Sequence, residues 1–230
     1  MKTIGLLAAF GPVAGAHFYV RLLQLVDAKS DADYPSIVLL SRPDIPDRIE
    51  FLLHDGPSPV PYFIEMARQL NALRVDLVAI ASATSHAFLP DVEKVSNAPV
   101  VNLLAAVGAE AARQGVKRVG LLATSASVRL HLYEAYMPEG SALVCPPDAI
   151  QTELDRIIYA FKRGESATAL APQLSALTDQ TWADDVESYI LGCTELHLAA
   201  AEFRKAHRII DSVDCLALAL LDAAGIPTLP

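Results

Sequence analysis

The 230-residue sequence predicts an α/β protein of two similar lobes, each a parallel β-sheet flanked by helices. Three observations carry that expectation. Short continuous apolar runs alternate with helix-length stretches, the pattern of parallel sheets covered on both faces. The segment "KTIGLLA" (2–8) returns 115 positions later as "KRVGLLA" (117–123), with Lys, Gly, Leu, Leu and Ala in register. The segment "DLVAIASATSH" (76–86) is matched 111 positions later by "ESYILGCTELH" (187–197). Each starts with an acid, runs apolar to the same point and turns polar, so Ser82 falls opposite Cys193 and His86 opposite His197. The period far exceeds that of a solenoid repeat and fits two related lobes.

The elements follow in order. Residues 3–9 read as the first strand. The stretch "MKTIGLLAAFGPVAGAHF" also has the lysine, apolar run and "AGA" of a short signal peptide, but the internal match to 117–123 decides for a strand. A helix over 13–29 and a strand over 36–41 come next. "HDGPSPVP" (54–61) is a loop leading into a helix over 58–73, with proline at or near its first turn. Strands at 76–82 and 99–102 precede a helix at 103–114. The second half repeats the alternation: strands at 117–123, 141–145, 187–193 and 208–210, and helices at 126–137, 149–162, 167–178, 195–206 and 212–224. No Pro/Gly/Ser-rich linker separates the halves. The simplest division is residues 1–98 plus 208–230 for the first lobe and 99–207 for the second, with the last strand and helix returning to the first.

Composition narrows the function. With 53% hydrophobic residues the chain can bury a large core. A net charge of −9 argues against a nucleic-acid partner, since no excess of Lys and Arg is there to neutralise phosphates. No uninterrupted apolar run of spanning length appears, so no membrane partner is expected. Three cysteines, Cys145, Cys193 and Cys215, are too few and too odd for a disulfide framework; a reducing compartment, the cytoplasm, is the expectation. His17, His54, His131 and His207 lack metal-ligand spacing, and "AAFGPVAG" has too few glycines for a dinucleotide fingerprint, so neither metal nor cofactor is assigned.

The stretch "SYILGCTELH" (188–197) puts a thiol where an apolar strand runs out. Two readings stand: a buried core cysteine, or a nucleophile or base at the carboxyl end of a strand, where open α/β sheets hold their ligands. If Ser82 and Cys193 end central strands of facing lobes, they suit a proton swap on opposite faces of one carbon, which inverts a stereocentre. A thiol has an unperturbed pKa of about 8.5, and a helix N-terminus such as the one predicted after Cys193 lowers it. A serine hydroxyl is a far weaker base unless a neighbour takes its proton; Ser82 equally reads as a helix N-cap. Arg48 has Asp44 or Asp47 as surface ion-pair partners, or serves as a bidentate carboxylate ligand. Thr84 reads as a carboxylate ligand or part of the same cap. His86 and His197 read as site-tuning groups or as satisfied histidines at helix starts.

Four segments resemble the aspartate/glutamate racemase family, the cofactor-independent amino-acid racemases, and the resemblance covers essentially the whole chain. They are "IGLLAAFGPVAG", "IPDR" (45–48), "ASATSH" (81–86) and "GCTE" (192–195). The resemblance implies two parallel-sheet lobes with pseudo-twofold symmetry, a site in the cleft between them, two opposed proton-transfer groups, and no pyridoxal phosphate or metal. It implies a dicarboxylic amino acid or related carboxylate as substrate and a homodimer as the assembly. It makes Cys193 the second catalytic thiol, puts Ser82 where the first belongs, and makes Arg48 a ligand of a substrate carboxylate. Thr84 and His86 match the first segment's following Thr and His. Thr194 and Glu195 follow the second thiol, with His197 beyond. Thr124, Ser125 and Ser127, in "ATSAS", resemble a loop that holds the substrate carboxylate, and Lys162, in "FKRG", resembles a basic residue near the site. Departures are Ser82 for Cys, Ala83 for Asn, and Ala8-Ala9 for a Gly-Gly pair, which restricts close backbone approach. The leading expectation is racemisation of aspartate or glutamate. The lost first thiol leaves two alternatives: a single-cysteine decarboxylase or isomerase of the same superfamily, or a catalytically silent carboxylate-binding relative.

Overall fold

The computed structural model describes residues 1–8 and 11–229. Ala9, which belongs to both the predicted first strand and the altered glycine pair, lies outside the described residues, as do Phe10 and Pro230. The chain divides into two compact units, Met1–Leu103 with Val213–Pro230, and Leu104–Ser212.

In the first unit the elements are β1 (Thr3–Leu7), α1 (Pro12–Gln24), β2 (Ser36–Leu40), α2 (Arg48–His54), α3 (Val60–Ala72), β3 (Leu77–Ile80), α4 (Leu89–Glu93) and β4 (Val100–Val101). The next helix, α5 (Leu103–Gln114), opens the passage into the second unit. There follow β5 (Arg118–Leu122), α6 (Ser125–Arg129), β6 (Ala142–Val144), α7 (Asp148–Lys162), α8 (Ala167–Thr178), β7 (Ser188–Leu191), α9 (Ala200–Phe203) and β8 (Ile209–Asp211). The last helix, α10 (Ser212–Ala224), returns to the first unit. All named strand pairs are parallel, and the sheet orders are β2-β1-β3-β4 and β6-β5-β7-β8. The two halves therefore share one topology, as the internal repeat predicts.

The repeated residues have physical reasons. A Cβ at Gly5 would stand 2.8 Å from Leu70, and one at Gly120 2.6 Å from the Tyr189 ring, so both central strands need glycine where a side chain crosses them. The acid that opens each matched segment joins two strand starts. The Asp76 carboxylate accepts from the Thr3 N–H at 2.7 Å, and the Glu187 carboxylate from the Lys117 N–H at 3.0 Å. Leu7, Phe63, Met66, Leu70, Val78 and Ile80 centre one core, and Leu122, Leu154, Ile158, Phe161, Leu174 and Leu191 another. No helix among the described residues is long and apolar enough to cross a membrane.

Several expectations need correction. The strand predicted at 99–102 pairs with β3 in the first sheet, and the strand at 208–210 pairs with β7 in the second, so the proposed boundaries misplace both. Each half is a full four-strand repeat, and the chain crosses between units at the helix that follows the fourth strand. The first helix stops at Gln24 rather than 29, because Val26 bridges Thr228 and the Asp27 N–H donates to the Pro227 carbonyl. The helix predicted over 126–137 stops at Arg129, and His131 turns the chain with φ of 52°. The helix at 195–206 begins as a 3-10 turn over Thr194–Ala199, and a matching turn over Thr84–Phe88 follows β3. Helices α2 and α4 fall where no helix was expected.

Candidate active site

Ser82, the Thr124–Ser127 loop and Cys193 lie just past the carboxyl ends of β3, β5 and β7, which is where a parallel sheet opens, whereas Arg48 and Lys162 sit at the ends of helices α2 and α7. Beyond β7, Gly192 donates its N–H to the Leu122 carbonyl at 2.8 Å, and Cys193 adopts extended backbone before the 3-10 turn. The Cys193 thiol is buried and donates to a Glu195 carboxylate oxygen at 3.0 Å. The Thr194 hydroxyl donates to the same oxygen at 3.2 Å. Glu195 is itself 6% exposed, so a thiol, a hydroxyl and a carboxylate share one nearly dry volume.

This geometry reverses the expectation of a lowered thiol pKa. Burial pushes Cys193 well above the ordinary thiol value and the Glu195 charge adds to it, while the Lys162 ammonium works the other way. The following turn is a 3-10 segment with no side-chain cap, too short and poorly aligned for a large dipole. The resting group is a protonated thiol aimed at a carboxylate. Lys162 is the last residue of α7 and lies half-buried, its Nζ 4.7 Å from the centre of the Tyr159 ring.

The loop after β5 brings together its predicted residues. The Thr124 hydroxyl caps α6, accepting from the Ser127 N–H at 3.3 Å, and lies 3.0 Å from the Ser127 hydroxyl. The Ser125 N–H donates to Asp155 at 3.1 Å. Asp155 and Gln151, an i, i+4 pair on α7, meet at 3.3 Å, and the Gln151 amide also donates to the Ala123 carbonyl at 3.0 Å. His197 holds Asp211 through Nδ1 at 2.6 Å.

In the first unit, the half-buried Ser82 follows β3. Its hydroxyl accepts from Ser85 at 2.9 Å, so its neighbour is another hydroxyl rather than a base, and it does not cap the turn. His86 settles the choice left open for it. Its Nε2 accepts the Leu103 N–H at 3.0 Å, so Nδ1 carries the proton and donates to the Ser82 carbonyl at 2.9 Å. Burial lowers its pKa to about 4, and the neutral ring ties the strand end to the start of α5. It is a satisfied histidine rather than a proton carrier. Thr84 is buried in the 3-10 turn beside it. Arg48 opens α2. Of its two expected acidic partners, Asp44 pairs with Arg42 at 2.9 Å through both oxygens, and Asp47 caps α2 by accepting from Ile49 and Glu50.

Reading the sequence missed Ser85, Tyr133, Gln151 and Asp155. Ser85 stood inside a quoted motif, and the Gln151/Asp155 spacing marks one helix face. Tyr133, wholly buried, donates its hydroxyl to the Gly192 carbonyl at 2.9 Å across 59 residues of chain, and no local pattern announces it.

Comparison with known proteins fits this geometry. A family model described as Asp/Glu/Hydantoin racemase matches residues 7–220. A broad-specificity amino-acid racemase of Bacillus subtilis is 23% identical over 218 residues, covering 93% of this chain and 94% of that protein. The aspartate racemase of Picrophilus torridus superposes with a TM-score of 0.87 at 26% identity, over 99% of this chain and 95% of that one. A glutamate racemase of Francisella tularensis, solved with D-glutamate, shares the fold with a TM-score of 0.66 at 19% identity, over 97% of this chain and 82% of that one. These relatives are amino-acid racemases, which are isomerases. The chain belongs to the Asp/Glu/hydantoin racemase family, and its enzyme class is isomerase.

Proposed function

We propose that this chain racemises an acidic amino acid, aspartate or glutamate, without a cofactor. Cys193 moves the α-proton on one face, and Ser82, or a water it holds, serves the other. The observation that carries this reading is the Cys193 thiol, 3.0 Å from the buried Glu195 carboxylate at the end of a central strand. Glu195 takes the thiol proton, the thiolate removes the α-proton, and a proton delivered to the opposite face of the carbanion completes inversion. The positive charge of Lys162 favours the thiolate. Arg48 and Lys162 hold substrate carboxylates, and Thr84, Thr124, Ser125, Ser127 and Thr194 supply hydroxyls and amides. The name of the Picrophilus torridus relative, an aspartate racemase, supports the substrate class, and that of the Bacillus subtilis relative supports amino-acid racemisation. The same reading has the enzyme as a cytoplasmic homodimer. The test is an amino-acid panel in deuterium oxide, followed by chiral chromatography and mass. Deuterium uptake with inversion of aspartate or glutamate is expected; ligand binding with unchanged enantiomer ratios and no exchange would leave a silent carboxylate-binding protein.

A specific observation favours a second reading. A thiol held protonated, and a Ser82 hydroxyl that accepts from the Ser85 hydroxyl, suit one-sided proton donation. Cys193 would then protonate the enolate left when a malonate-type acid loses carbon dioxide. Carbon dioxide release from such an acid, without inversion of any amino acid, would select this reading.

A further inference from the structure

Tyr133 is wholly buried, and its hydroxyl donates to the Gly192 carbonyl, the peptide oxygen immediately before Cys193. The opposite side of Gly192 is also held, its N–H donating to Leu122 at 2.8 Å. The contact depends on glycine: a Cβ at Gly192 would stand 2.9 Å from the phenol oxygen and 3.0 Å from Ala123. Tyr133 comes from the segment after α6, which is tied back to the site loop by the Leu132 N–H donating to the Ser127 carbonyl at 3.2 Å. One phenol thus connects the Thr124–Ser127 loop to the peptide that carries the thiol.

The other half of the molecule supplies a control. In the sequence repeat Gly192 corresponds to Ala81, and the Ala81 N–H likewise donates to Leu7 at 3.0 Å. Ala81 carries a Cβ at the position where Gly192 has none. The strand-end hydrogen bond is shared, whereas the tyrosine contact belongs to the thiol-bearing half.

We infer that Tyr133 is a positioning residue for Cys193: by fixing the Gly192–Cys193 peptide it holds the thiol against Glu195 and in line for proton transfer. The inference rests on Cys193 being the proton-transferring thiol. Removing the phenol hydroxyl lets the peptide rock. The thiol then draws away from Glu195, loses part of the charge and burial that keep it protonated, and becomes a better thiolate in a worse place.

The experiment compares the full-length parent with Tyr133→Phe, which keeps the ring. Two readouts are taken: α-proton exchange of aspartate and glutamate in deuterium oxide, and the pH dependence of Cys193 alkylation by iodoacetamide, followed on the Cys193 peptide by mass spectrometry. For the loss of one neutral hydrogen bond, kcat should fall by about three- to tenfold with KM within about twofold. The alkylation midpoint should move to lower pH. A general loosening would also move the alkylation midpoints of the Cys145 and Cys215 thiols, read on their own peptides, whereas a positioning role moves that of Cys193 alone. An unmoved Cys193 midpoint, or an unchanged kcat, overturns the inference. If the parent exchanges neither amino acid, the proposed function fails, and the alkylation midpoint alone decides the role of Tyr133.

Discussion

At the scale of single residues, burial decides what each titratable group does. Cys193 is pushed up by desolvation first and by Glu195 second, so the carboxylate that could take its proton also keeps it a thiol at rest. Glu195→Gln should therefore lower the alkylation midpoint of Cys193 while reducing turnover, because the charge and the acceptor disappear together. A raised midpoint would remove Glu195 from this account. Cys193→Ala should abolish exchange with both enantiomers, and full activity in that variant would sink the mechanism. His86 shows the opposite shift. Its folded pKa is depressed from 6.5 to about 4, so its contribution to stability is present above about pH 6.5 and lost as pH falls through 4. In that window the unfolded chain takes up a proton that the buried ring refuses. The loss is on the order of 3 kcal/mol. Urea midpoints measured from pH 7 to pH 4 should fall more steeply for the parent than for His86→Gln, and parallel slopes would contradict the assignment.

At the scale of elements, the two central strands carry the same glycine for related reasons with different tolerances. The intruding atom at Gly5 is the end of the flexible Leu70 side chain, whereas at Gly120 it is the edge of the Tyr189 ring. That ring is fixed by packing against Trp182, Phe203 and His207. Overpacking a core costs about 1–3 kcal/mol, and a rigid neighbour cannot give way cheaply. Gly120→Ala should fall toward the upper end of that range and Gly5→Ala toward the lower. Equilibrium denaturation of both variants checks the order; equal costs would show that the Tyr189 ring moves as freely as a leucine tip.

At the scale of the whole molecule, a shared topology carries unequal chemistry. One half ends its second central strand in Cys193 with Glu195 beside it, and the other in Ser82 with Ser85 beside it. A thiol paired with a carboxylate can reach its thiolate, whereas a hydroxyl that accepts from another hydroxyl gains no proton acceptor from that contact. α-Proton exchange should therefore be faster for the enantiomer whose α-hydrogen faces Cys193. Ser82→Cys should raise inversion relative to exchange. Following deuterium uptake and inversion separately from each pure enantiomer tests both points. Equal exchange by the parent would show that the Ser82 side has a better base than its neighbours provide.

The sequence by itself determined the α/β class, the two related halves and the positions of Ser82 and Cys193 at corresponding strand ends. Apolar runs and repeated glycines are local patterns, and each half repeats the same demands on its central strands. Tertiary structure decided what those patterns leave open. The fourth strand of each half was legible as a strand, but its sheet was not, because pairing is a contact between segments distant in the chain. The direction of the Cys193 shift was not legible either: the helix-dipole argument sees only the next turn, whereas burial of the thiol in a core assembled from distant segments sets the larger effect. His86 was legible as a candidate, but its role depended on the Leu103 N–H arriving at its far nitrogen. Tyr133 was invisible for the same reason, since its meaning lies in a carbonyl 59 residues away that only the folded chain brings within hydrogen-bond reach.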